Sequence, residues 1–175
     1  MLQPADTHRF PRCGGGPKGK IWSKRLPYET AMRQRYIDLM DAGRSYAGFT
    51  LDIDEPAGLA AIPDLPPPNW YVQTDRGAHL TWLLRVPVHK HDAARLQPLS
   101  WFGSIADRFG IACMADPAFN GMGRNPFHPA ARTLPGALKL YTLDELANAM
   151  TGDIQIPKAR QGLIGRNVTL FRGLL

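Results

Sequence analysis

The segment Ala47-Gly-Phe-Thr-Leu-Asp-Ile-Asp-Glu-Pro56 places two carboxylates, Asp52 and Asp54, two residues apart inside an apolar, β-prone run. Read as a strand, it turns Phe49, Leu51 and Ile53 to one face and Thr50, Asp52 and Asp54 to the other, and Pro56 ends it. Like charges on one face repel unless a cation lies between them. A hard divalent metal such as Mg²⁺ takes one or two carboxylates and completes its shell with substrate phosphates. The pair therefore points to metal-assisted chemistry on phosphate, and the plain alternative is a strand end with two solvated aspartates. A third carboxylate, Asp116, stands before Pro117 where a short apolar segment gives way to a loop, a common place for ligands and equally an ordinary turn signal. His79 opens a strand directly after a Gly turn, where a lone histidine is more often structural than catalytic.

The other candidates lie in loops. Residues 117–137 are rich in Pro and Gly and carry Asn120, Arg124, Asn125, His128 and Arg132, groups suited to phosphate. Gly14-Gly-Gly16 with Lys18 and Lys20 nearby lacks the GxxxxGK[ST] order of a phosphate-binding P-loop, so it reads as part of a basic arm. His89 and His91 have the look of a metal pair, but no third ligand is in reach by sequence, and they read as a solvated loop.

The elements that must position these residues follow from periodicity and turn chemistry. Residues 1–27 are expected to be a basic Gly/Pro-rich loop or mobile arm, including Lys18, Lys20, Lys24 and Arg25. Met32, Tyr36, Leu39 and Met40 recur at helical spacing and predict a helix over 28–42, closed by Gly43. After the Asp52 strand, the prolines of 63–69 demand an extended loop. Strands over 69–74 and 78–88, joined by Asp75-Arg-Gly77, make a hairpin on which His79, Thr81 and Leu83 share the less apolar face. A helix over 91–109, with Pro98 dividing it or marking a late first turn and Gly110 closing it, a strand over 111–115, a brief strand over 138–141 and a capping-box helix over 143–150 complete the prediction.

Composition narrows the class. With 175 residues the chain has enough length for a core without covalent staples. Cys13 and Cys113 form no CxxC or zinc-spaced cluster, which implies a reducing compartment and no structural zinc. No signal sequence or membrane-length apolar run is present, so a cytoplasmic protein without a membrane partner is expected. A net charge of +6 and a pI near 9.6 fit a polyanionic partner such as nucleic acid.

Taken in order, Leu51-Asp-Ile-Asp54, Gly77-Ala-His79 and Ala115-Asp116 resemble the three motifs of the archaeo-eukaryotic primase superfamily. Within it the chain is similar to the Rep proteins (replicases) of theta-replicating colicin-type plasmids, on Pro66-Pro-Pro-Asn-Trp70, Gly77-Ala-His-Leu-Thr-Trp82, Ala115-Asp-Pro-Ala-Phe-Asn-Gly121, Arg124-Asn-Pro126 and Gly165-Arg-Asn…Leu-Phe171. Arg124 stands where that family usually has Lys, a planar fork in place of a point charge.

The resemblance implies an α/β (α+β) primase catalytic core over 28–150, with a mixed or antiparallel sheet flanked by helices. It implies that 151–175 begin a truncated C-terminal region. By position, Asp52, Asp54 and Asp116 would hold catalytic Mg²⁺ or Mn²⁺, His79 would contact a nucleoside triphosphate, and Arg124 and Asn125 would be further nucleotide or template contacts. Lys18, Lys20, Lys24, Arg25 and Arg132 would meet single-stranded or origin DNA through its phosphates, with contacts to the replication machinery also expected. The implied function is a plasmid replication protein with primase or primer-extending polymerase activity. Two rivals remain at this level: a non-catalytic DNA-binding initiation module, and a metal-dependent nucleotide-sugar transferase, which also uses Asp-x-Asp.

Overall fold

A computed structural model of the chain describes residues 11–16, 22–41, 45–54, 65–90 and 94–150. Lys18, Lys20, His91 and the whole tail from 151, including the Gly165 motif, lie outside the described residues. The described elements in order are β1 (Arg12–Gly15), β2 (Trp22–Arg25), α1 (Tyr28–Ala31), β3 (Tyr36–Asp38), β4 (Ser45–Ile53), β5 (Trp70–Gln73), β6 (Ala78–His89), α2 (Leu96–Ala112), β7 (Gly123–Arg124), β8 (Thr133–Pro135) and α3 (Leu143–Asn148). Among these, no helix is long and apolar enough to cross a membrane.

The strands form two antiparallel sheets, ordered β4-β6-β5-β8 and β2-β1-β3-β7. The β4 pattern holds as expected: Phe49, Leu51 and Ile53 are buried against Leu80, Trp82 and Leu84 of β6 and Phe102, Ile105 and Phe109 of α2. Phe49 stacks on Trp82, and Phe109 meets both rings edge-on, so α2 is fastened to this face by aromatic contacts. The opposite face of the β4 sheet is covered by the second sheet. There Trp70, Val72 and Leu83 pack with Cys13, Ile37, Leu39 and Met40 in a second core. The molecule is thus layered helix, sheet, sheet, and the less apolar face of the β4 sheet is in part interior.

Four expectations are corrected. The basic arm contributes strands β1 and β2. Its glycines serve close backbone approach, since a Cβ on Gly14 would lie 2.5 Å from the Trp22 carbonyl oxygen. The helix over 28–42 is one turn, Tyr28–Ala31, followed by the strand Tyr36–Asp38. Asn125 Nδ2 donates to the Met32 and Gln34 carbonyls, and β3 takes its backbone partners from β1 and β7, so tertiary pairing overrides the helical spacing. The strand over 111–115 is instead the end of α2. Its apolar stripe runs on from Phe109 to Cys113 straight through Gly110, and Met114 then turns the chain at φ 49°. Finally, the loop over 117–137 contributes β7 and β8, whereas 138–141 makes only a single bridge, Tyr141 to Leu84.

The proline loop is extended and anchored through its carbonyls. Trp82 Nε1 donates to the Pro66 oxygen at 2.7 Å and the Tyr141 hydroxyl to the Pro67 oxygen at 2.6 Å. The capping box is present in full, with Thr142 and Glu145 bonding each other's backbone N–H.

Candidate active site

The site is built on the seam between the two sheets. In the β4–β6 register, Thr50 faces Thr81 and Asp52 faces His79, and the first pair is locked by a hydroxyl–hydroxyl bond of 2.9 Å. Cross-strand partners point to the same side, so Asp52 and His79 are adjacent by topology alone. His79 Nε2 lies 3.1 Å from Asp52 Oδ1, with their side chains 8% and 21% exposed. The approach does not have hydrogen-bond geometry, and Asp52 Oδ1 is a buried oxygen without a hydrogen-bond partner among the described residues.

The other edge of His79 is tied to the second sheet. The Arg124 backbone N–H donates to His79 Nδ1 at 2.7 Å, which places the ring proton on Nε2, toward Asp52. Gly123 makes this approach possible: a Cβ there would lie 3.1 Å from Nδ1. Phe119 lies against the imidazole with ring centres 5.4 Å apart. His79 is buried, 6% exposed, although it lies on the less apolar face of its strand.

These residues open onto a cleft of about 310 Å³, lined by Asp52, Asp54 and His79 together with Arg124, Arg35, Arg76, Asp75, Thr74, Tyr36 and Gly16. Arg124 lines the same cleft, its Nη2 2.6 Å from Asp75 Oδ1. Asp116 is brought to the site by its backbone, the N–H donating to the Asp52 carbonyl at 2.7 Å. Its side chain is exposed and turned to its own loop, where Oδ1 accepts from the Ala118 N–H at 2.8 Å. Among the described residues, no three His, Cys, Asp or Glu side chains converge as a ready-made metal set. The donors that suit a metal are Asp52, with its unsatisfied oxygen, and Asp54 on the same face, a two-carboxylate arrangement that a hard cation completes from substrate oxygens.

Asn125 departs from its expected place as a nucleotide contact. It is fully buried, donates from Nδ2 to the Met32 and Gln34 carbonyls and accepts the Phe127 N–H on Oδ1, so its carboxamide clamps the 32–34 segment to its own loop. Of the basic residues, Lys24 Nζ lies over the Trp22 ring on exposed β2 and Arg25 is 3.7 Å from Asp41, while Arg132 is exposed outside the cleft. Sequence reading missed Arg35, Tyr36, Asp75 and Arg76 as cleft residues. Asp75-Arg-Gly77 signalled only a turn, and the helical reading of 28–42 hid the strand that carries Tyr36.

Comparison with known proteins agrees with this architecture. No curated protein matches the chain. Among solved structures, the AEP domain of the cyanophage S-2L primase-polymerase (PrimPol) superposes with a TM-score of 0.55 at 17% identity, covering 81% of this chain and 88% of that one. The fold is therefore that of the archaeo-eukaryotic primases. The family model described as "Replicase family" matches residues 7–150, and the chain belongs to that family.

Proposed function

We propose that this chain performs metal-dependent nucleotidyl transfer on a DNA template, as a primase or primer-extending polymerase in plasmid replication. The observation that carries the reading is the Asp52–His79 pair at a cleft that also collects Asp54 and Arg124. Phosphoryl transfer asks for alignment and charge neutralisation more than for a side-chain nucleophile, and this residue set supplies both. Asp52 and Asp54 would hold Mg²⁺ or Mn²⁺, with Asp116 adjacent through its backbone. When bound, the metal neutralises the triphosphate and lowers the barrier to attack by a 3′ hydroxyl. His79 offers its Nε2–H to a phosphate oxygen, and Arg124, with Arg35 and Arg76 lining the same cleft, grips the remaining charge. Lys24, Arg25 and Arg132, with Lys18 and Lys20, would meet the template backbone, a contact that weakens as salt rises. Membership of a replicase family and the primase fold support this reading.

One feature favours a second reading, a DNA-binding initiation module without synthesis: the Asp116 carboxylate accepts from its own loop, and among the described residues it gathers with no two other His, Cys, Asp or Glu side chains into a metal set. The deciding experiment is primer synthesis on single-stranded template with labelled ribo- and deoxynucleotides and Mg²⁺ or Mn²⁺. Template-dependent oligomers that disappear in Asp52→Ala and Asp116→Ala support the enzyme. Absence of product together with absence of metal-dependent nucleotide binding, in a protein that still binds DNA, supports the module.

A further inference from the structure

Strand β2 is exposed along its whole length, yet it carries a tryptophan. Of the four tryptophans, Trp70 and Trp82 are buried and Trp101 stands on α2, whereas Trp22 is 37% exposed on the edge strand of the second sheet. In the β1–β2 register Trp22 faces Gly15, and its indole leans over that bare backbone: a Cβ on Gly15 would lie 3.3 Å from the ring's Cζ2 and 3.5 Å from Gln34 Oε1. Trp22 and Lys24 share a face by the two-residue period of a strand, and Lys24 Nζ lies 5.2 Å from the ring centre. Gly15 adjoins Gly16 and Gln34 adjoins Arg35, and both of those neighbours line the cleft. The ring therefore stands at the cleft's rim.

An exposed aromatic face beside a cation suits single-stranded nucleic acid, because the ring stacks a base while the cation meets the adjoining phosphate. We propose that Trp22 stacks an unpaired base of a single-stranded DNA template at the rim of the cleft, with Lys24 on the neighbouring phosphate. The inference deepens the reading of the cleft as a nucleotidyl-transfer site by naming a residue that holds the template strand. A contact between an exposed ammonium and a ring is weak, so Lys24 turns to phosphate at little cost. Every base has a π face, and the platform is expected to hold the strand without sequence preference. Duplex DNA keeps its bases stacked on one another and offers the ring nothing. The rival role for Trp22, cover for Gly15, needs only an apolar side chain, whereas stacking needs an aromatic one.

The test uses the full chain with Trp101→Phe, which leaves Trp22 as the exposed tryptophan, and titrates it at low salt with oligo(dT) and with a mixed-sequence duplex. Oligo(dT) is expected to quench the tryptophan emission, and the quenching should vanish when Trp22→Phe is added. Binding is read separately from the anisotropy of labelled DNA. Trp22→Leu, which still covers Gly15, should bind oligo(dT) about 5- to 150-fold more weakly, the loss of one stacked base, with native circular dichroism and unchanged duplex binding. Trp22→Phe should keep most of the affinity, and Lys24→Gln should lower the salt slope for oligo(dT) by about 0.7. Equal oligo(dT) binding by Trp22→Leu and Trp22→Phe overturns the proposal. So does a parallel loss on duplex, absence of quenching, or failure of the Trp101→Phe protein to bind oligo(dT). If oligo(dT) binds and quenches as expected while wild-type protein makes no primer, the stacking site stands and the synthesis reading alone falls.

Discussion

At the scale of single residues, the structure separates Asn125 from His79, two residues that motif reading assigns alike to nucleotide contact. Both carry side chains that could meet a nucleotide, but only His79 borders the cleft; Asn125 is fully buried with its carboxamide spent on the backbone of 32–34 and 127. Removing that carboxamide takes the partner from two partly buried carbonyls and one N–H. Asn125→Ala is therefore expected to destabilise the fold by about 2 kcal/mol or more, read by denaturant unfolding, since each orphaned buried group costs about 1–3 kcal/mol. A nucleotide contact would instead show unchanged stability with weaker binding. What was legible at this scale is the Asp52/Asp54 pair, because a period of two is written directly in the residues. The pairing of Asp52 with His79 was not, because register is a property of two strands.

At the scale of elements, α2 shows where local signals win and where they fail. Its stripe of Phe102, Ile105, Phe109 and Cys113 is a plain helical pattern, and Gly110 does not break it because the buried face continues past the glycine. Halfway along, Asp107 is pressed toward the interior, and burial raises its carboxyl above the ordinary value. The folded state therefore holds that proton more tightly than the unfolded chain, so this group favours folding at low pH and opposes it as pH rises through the folded value. Asp107→Asn is expected to melt higher than wild type at neutral pH, with the gap closing below the ordinary carboxylate range; thermal melts across pH check it. Glu145 has the opposite sign. The Thr142 backbone N–H, followed by Lys139, lowers its pKa, so the capping contribution to α3 is lost as pH falls through that lowered value.

At the scale of the whole molecule, two cores sit on the two faces of one sheet, and Trp82 is central to the first. It is fully buried, packs on Phe49 and Phe109 and fastens the proline loop through its indole N–H. Trp82→Ala is expected to cost about 3–5 kcal/mol, a large share of the roughly 5–15 kcal/mol of a typical domain. Chemical denaturation should show an early midpoint and, because the β4–β6 pair also carries the site, parallel loss of nucleotide binding. The sequence alone determined the strand with its paired carboxylates, the hairpin that carries His79, the capping box and the order of motifs, because each rests on local spacing and residue type. Only the tertiary structure decided that the Gly-rich start is strand, that 36–38 is strand and not helix, that Asn125 is a clamp, and that Arg124 and Asp75 close a cleft between the sheets. Those outcomes depend on hydrogen bonds and burial between segments far apart in the chain, and no local period records them.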